Sequence, residues 1–212
     1  MDDFSFFFTF FSLLLGLVVA EIASKFADAI DAHPRRPLGI VTPLLATFFL
    51  FDIGSFWLWT WTLRHHVVVS WELIFLSLIV AMAYYLSGAL VFPREPHDWD
   101  SLDHHYWQRK RHVLAGLLVA NLVLLTLVCA GLKMPELSDG WFFFWQLTYY
   151  IPIAILWFSR SRRLDIAILV FLIVQYQLPY LHIFPNSQWG QATGINDALD
   201  LSASTSGLAP PK

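Results

Sequence analysis

The placement of the 13 Lys and Arg residues constrains this chain more than any other feature, because they gather between alternate pairs of long apolar segments. Six stretches are apolar and long enough to cross a hydrocarbon layer of roughly 30 Å, for which about 20 helical residues suffice. They run from Phe4 to Phe26, Leu38 to Leu63, Val67 to Phe92, Val113 to Leu132, Trp141 to Phe158 and Leu164 to Phe184. Lys25, Arg35 and Arg36 separate the first two, Arg94, Arg109, Lys110 and Arg111 the third and fourth, and Arg160, Arg162 and Arg163 the last two. Only Arg64, Lys133 and Lys212 fall on the other side. The positive-inside rule puts the richer side in the cytoplasm and both termini outside. The expectation is an all-α, polytopic membrane bundle of six transmembrane helices over residues 1–185. Residues 186–212, rich in Ser, Gly, Ala and Pro, read as a flexible tail outside the membrane.

At 57% hydrophobic and 14% charged residues, the chain is excluded from the ordinary soluble domains. No basic patch is interleaved with aromatics on a polar segment, so nucleic acid is not an expected partner. Cys129, the single cysteine, lies within the fourth apolar stretch, which excludes an internal disulfide and any CxxC site. Met1-Asp2-Asp3 is acidic where a secretory signal needs a basic start, so the first segment reads as a retained helix. Trp57, Trp59, Trp61, Trp71, Trp141 and Trp145 cluster at outer helix ends, the headgroup level where an indole keeps its ring in lipid and its N–H in water.

The longest connection, Pro93 to His112, contains His97, His104, His105 and His112. Asp100 or Ser101 is placed to cap a helix running into the fourth span, and the rest reads as an interfacial amphipathic segment. Imidazole and carboxylate suit a metal, but Arg109 and Arg111 beside them repel one, and the spacing is not HExxH. Two haem ligands would have to face each other inside the bundle, whereas His65, His66 and His182 lie at outer helix ends and His33 and His112 at inner ones. No catalytic residue, metal or cofactor is therefore expected. A membrane metal or haem enzyme built on these histidines is the alternative.

Polar side chains at membrane depth cost about 2.5–3.5 kcal/mol when charged, so each calls for a reason. Glu21 and Asn121 are expected roughly 8–12 Å from the inner edge, and Asp52 and Gln146 about as far from the outer one, with Gln177 nearby. Glu21 has Lys25 four residues on, whereas Asp52 has no basic neighbour at helical spacing. Pro152 and Pro179 free the carbonyls of Thr148 and Gln175 close to the outer layer. Gly16-xxx-Ala20-xxx-Ser24 on the first helix and Gly116-xxx-Ala120 on the fourth carry the small-residue spacing that lets membrane helices approach closely. Gly16 to Ile22 also resembles Gly116 to Leu122, but an inverted three-helix repeat would put matched residues at opposite depths, and these sit at the same one. Asp52, Gln146, Gln177, Glu21 and Asn121 are thus candidates to line a path through a small transporter or channel-like protein. Membrane lipid is the expected partner, together with a second copy or a membrane complex. The rival is a structural or accessory subunit.

Phe10 to Ile22, and Leu90-Val-Phe-Pro93 followed by an acidic loop with His104-His105-Tyr106-Trp107, resemble a family of small six-helix bacterial inner-membrane proteins with no established function. The resemblance implies a six-helix fold and a bacterial inner-membrane location. It supplies no catalytic residue.

Overall fold

The structure, a computed structural model, describes residues 3–32, 39–66, 68–93, 101–131 and 134–178. These residues form the helices α1 (Asp3–Ala32), α2 (Val41–Thr62), α3 (Trp71–Val91), α4 (Leu102–Gly131), α5 (Gly140–Phe158) and α6 (Arg162–Gln175), with a 3-10 turn at Leu63–His65. Helices α1 to α5 are long and apolar enough to cross a membrane. The 14 residues of α6 rise only about 21 Å, short of a full span. Residues 179–184 of the expected sixth segment, including Pro179, lie outside the described residues, as does the tail 186–212.

Side chains with short polar reach start three helices by taking up first-turn N–H groups that have no partner within the helix. Ser70 Oγ accepts from Leu73 N at 3.3 Å, Asp139 Oδ1 from Phe142 N at 3.1 Å, and Ser101 Oγ from His104 N at 3.3 Å. The Ser101 cap starts α4 well before Val113. Leu102, Tyr106, Lys110, Val113 and Leu117 are all buried, at the three- and four-residue spacing of one helix face, so this stretch packs into the bundle.

Consecutive helices run antiparallel, and their ends interlock. At one end Thr42 Oγ1 donates to Leu102 O at 2.9 Å, His105 Nε2 to Leu90 O at 3.0 Å and Arg111 Nε to Trp157 O at 3.2 Å. These bonds tie the starts of α2 and α4 to the ends of α3 and α5, where Arg109, Lys110, Arg111, Arg160, Arg162 and Arg163 lie among the described residues; we call it the basic end. At the opposite, aromatic end, Phe8 of α1 meets Trp57 and Trp61 of α2 at ring distances of 5.2 and 5.0 Å, and Trp57 Nε1 donates to Ser12 Oγ.

Between helices in lipid there is little hydrophobic driving force, so close approach and polar contact decide the packing. Gly116 is where α4 touches α3: a Cβ there would fall 1.7 Å from Ser87 Oγ and 2.8 Å from Ala83 O. Gly88 gives Val18 and Ile22 of α1 similar room on α3. Of the two expected small-residue seams, the one at Gly116 is therefore a close approach and the one on α1 is not. Phe11, Leu15, Val18 and Ile22 form the buried face of α1, and these larger side chains fill the groove. Gly16, Ala20 and Ser24 are left exposed, with nothing within 4 Å of a Cβ built on Gly16.

Candidate functional site: a caged carboxylate at the centre of the bundle

Helix α2 buries Leu45, Phe48, Phe49, Asp52, Ile53 and Phe56 on one side, so the position of Asp52 in the helical repeat sends its carboxylate into the core. Asp52 is fully buried, about 15 Å along the helix from either end of α2. Its Oδ2 accepts from Tyr84 Oη of α3 at 2.7 Å, and its Oδ1 from Tyr149 Oη of α5 at 2.8 Å. Tyr176, the residue that follows α6, donates its hydroxyl to Oδ1 as well. Asn121 Nδ2 of α4 lies 3.1 Å from both oxygens and 3.0 Å from Leu117 O on its own helix. Phe49 and Phe56 pack edge-on against Tyr84 at 5.8 and 5.4 Å, and Phe48 and Phe51 flank Tyr176, which fixes where the hydroxyls point. The donors come from all around the carboxylate. Among the described residues none of them is a cation.

Magnitudes decide what this cage can be for. Five hydrogen-bond contacts in a membrane interior contribute about 3 kcal/mol at roughly 0.6 kcal/mol each. Placing the acid there costs about 2.5–3.5 kcal/mol. The arrangement nearly breaks even, and an apolar cluster of the same volume would hold the helices at least as well.

Of the residues expected to share a path, the structure brings together Asp52 and Asn121. The two expected layers do not exist as such. With α4 extended back to Leu102, Asn121 falls about 15 Å from Gly131, level with Asp52. Glu21 pairs instead with Lys25 of its own helix at 3.4 Å. Gln146 is half-buried and Gln177 exposed, and neither hydrogen-bonds Asp52. The three tyrosines were not among the expected residues. Their signal was depth: a tyrosine normally sits at the interface with its hydroxyl in water, yet Tyr84 and Tyr149 fall in the middle of α3 and α5.

A cavity of about 80 Å³ opens near the aromatic end among α1 to α4, lined by Phe7, Phe11, Phe56, Thr60, His66 and Leu124 with other apolar residues. Phe56 lines this cavity and also packs on Tyr84, so one ring separates the cavity from the cage. At the basic end a second buried acid is paired. Asp165 Oδ2 accepts from Lys110 Nζ and from Tyr106 Oη, each at 2.8 Å, and Lys110 also donates to Ser159 O at 2.6 Å while lying 4.3 Å from the Trp107 ring centre. The contrast is informative, because among the described residues the same residue type carries a cation at one end and none at the centre.

Two histidines of the long loop make local contacts. His105 closes the end of α3 through Leu90 O, and His104 Nε2 lies 3.3 Å from Gln108 Nε2. Among the described residues no group of three His, Cys, Asp or Glu comes together. The side chain of His65, and His33, His97 and His182, lie outside what the structure describes.

Five long apolar helices around a buried polar core make this an all-helical, multi-pass membrane protein. Comparison with protein-family models, with curated proteins and with solved structures returns no match.

Proposed function

We propose that the protein is a small six-span transporter or channel-like protein of a bacterial inner membrane, with both termini outside, in which Asp52 binds a positively charged or polar solute in transit. The observation that carries this reading is a buried carboxylate surrounded by four neutral side chains from four other parts of the bundle, with no cation beside it among the described residues. Intramembrane acids without a local counter-charge mark ion and proton pathways. The cavity one ring away from Tyr84 supports access from the aromatic end. Asp52→Asn retains size and polarity but removes the charge. The variant is expected to insert and assemble while flux in liposomes falls at least tenfold. A stabilised variant with unchanged flux would end the transport reading.

The exposed α1 ridge favours a second reading, an accessory subunit or a self-associating protein. Gly16, Ala20 and Ser24 form the small-residue spacing through which membrane helices approach closely, and among the described residues it is left exposed. Gly16→Leu has room in the monomer, so folding should be unchanged. If the ridge is a contact surface, cross-linked dimers or co-purifying partners should disappear in that variant, and retention of both would remove this reading.

A further inference from the structure

We infer that the ligand of Asp52 is the proton, and that Tyr84 is the hydroxyl that turns from donor to acceptor when it arrives. This assignment rests on the transport reading above and names what the site takes up.

The contacts discriminate among cations. Asp52 receives hydrogens on both oxygens, from three hydroxyls and one amide. A metal ion needs several converging lone pairs, at about 2.0–2.6 Å for Mg²⁺ or Ca²⁺. Here all three phenol hydrogens would have to turn away, and the Asn121 amide would still present N–H groups to both oxygens. A proton needs no coordination sphere and almost no volume. It forms one O–H bond on the carboxylate, breaks none within the protein, and takes the site from one negative charge to neutral.

The arrangement also indicates which oxygen changes role. Oδ1 accepts from two hydroxyls and Asn121, whereas Oδ2 accepts from one hydroxyl and Asn121. Protonation at Oδ2 requires Tyr84 to reverse, its own hydrogen leaving Oδ2 while its oxygen accepts the new carboxyl hydrogen; Tyr149 and Tyr176 keep donating to Oδ1, and Asn121 retains Oδ1 as an acceptor. Tyr84 is fully buried and wedged edge-on between Phe49 and Phe56, so its ring stays in place while the hydroxyl hydrogen turns. The groups facing the carboxylate are Tyr84 of α3, Asn121 of α4, Tyr149 of α5 and Tyr176 after α6, with Ser55 Oγ of α2 on the Asp52 carbonyl. Among the described residues no charged side chain reaches it.

Infrared difference spectra of the full chain in lipid nanodiscs, recorded between neutral and acidic pH, test this assignment. A carboxylic-acid C=O band should appear on acidification, be missing in Asp52→Asn, and shift in Tyr84→Phe, which keeps the ring and loses the acceptor. Adding Na⁺, K⁺ or Mg²⁺ at fixed pH should leave it unmoved. A band displaced by a metal ion, or no Asp52-dependent band over the pH range in which the protein stays folded, would overturn the assignment. Proteoliposomes with an entrapped pH dye separate the two levels. An Asp52 band without proton flux keeps the proton site and removes transport, whereas cation flux without the band keeps transport and removes the proton.

Discussion

Replacing Lys110 by Met is expected to lower the stability of the folded protein by about 3–5 kcal/mol, because it strands a buried charge. Asp165 is fully buried and Lys110 only 3% exposed, and the ammonium is fixed by the carboxylate, by Ser159 O at the end of α5 and by the face of Trp107. Without it, Asp165 keeps the Tyr106 hydroxyl as its one side-chain donor among the described residues. The loss comes from the orphaned acid more than from the attraction of the pair, so Lys110→Met combined with Asp165→Leu should recover most of the stability. Arg162→Ala gives the control, since the Arg162–Asp103 pair has a guanidinium side chain 53% exposed and should contribute at most about 1 kcal/mol. Unfolding in mild detergent, followed by helical signal for all three variants, ranks them. A Lys110→Met protein as stable as the parent would mean that water reaches the pair.

Much of this architecture was legible as a one-dimensional pattern. Apolar length marks a helix that must satisfy its backbone within lipid, and Ser101 stood where a cap was needed. What failed was mostly a matter of helix faces. The small residues of α1 and α4 have matching spacing, but spacing does not say which neighbour a ridge meets, and the bulkier face of α1 took the groove on α3. Depth counting failed for Asn121 because the apolar run begins at Val113 while the helix begins at Leu102. Arg109, Lys110 and Arg111 look like a surface loop in the sequence, yet Lys110 finds a buried acid 55 residues away.

Asp52 itself was legible, since an acid in an apolar run with no basic residue at helical spacing is costly wherever it points. Its partners were not. Tyr84, Tyr149 and Tyr176 lie 32, 97 and 124 residues away, and tyrosine in a membrane helix usually reports the interface. The useful signal was the combination of an uncompensated acid and tyrosines in mid-helix. Each supplies what the other lacks, an acceptor for the hydroxyls and donors for the carboxylate.

That mutual dependence sets the second large effect. Asp52→Leu removes the acceptor shared by four side chains and is expected to cost about 3 kcal/mol or more, well beyond Asp52→Asn, which keeps one carbonyl oxygen for the donors. Buried hydroxyls left without an acceptor carry the full desolvation penalty, and the tight aromatic packing around Tyr84 and Tyr176 limits how far they can turn to find another. The loss should be repairable from the other side. Adding Tyr84→Phe, Tyr149→Phe, Tyr176→Phe and Asn121→Leu converts the cage into an apolar core, and stability should return close to the parent value because the original network nearly broke even. Thermal unfolding of the single variant and of the fully apolar one tests both steps. Recovery of stability with loss of flux would show that packing alone does not require the acid, which leaves its uptake of a ligand as the reason for an aspartate at position 52. Failure to recover would mean that the polar network fixes the register of the helices.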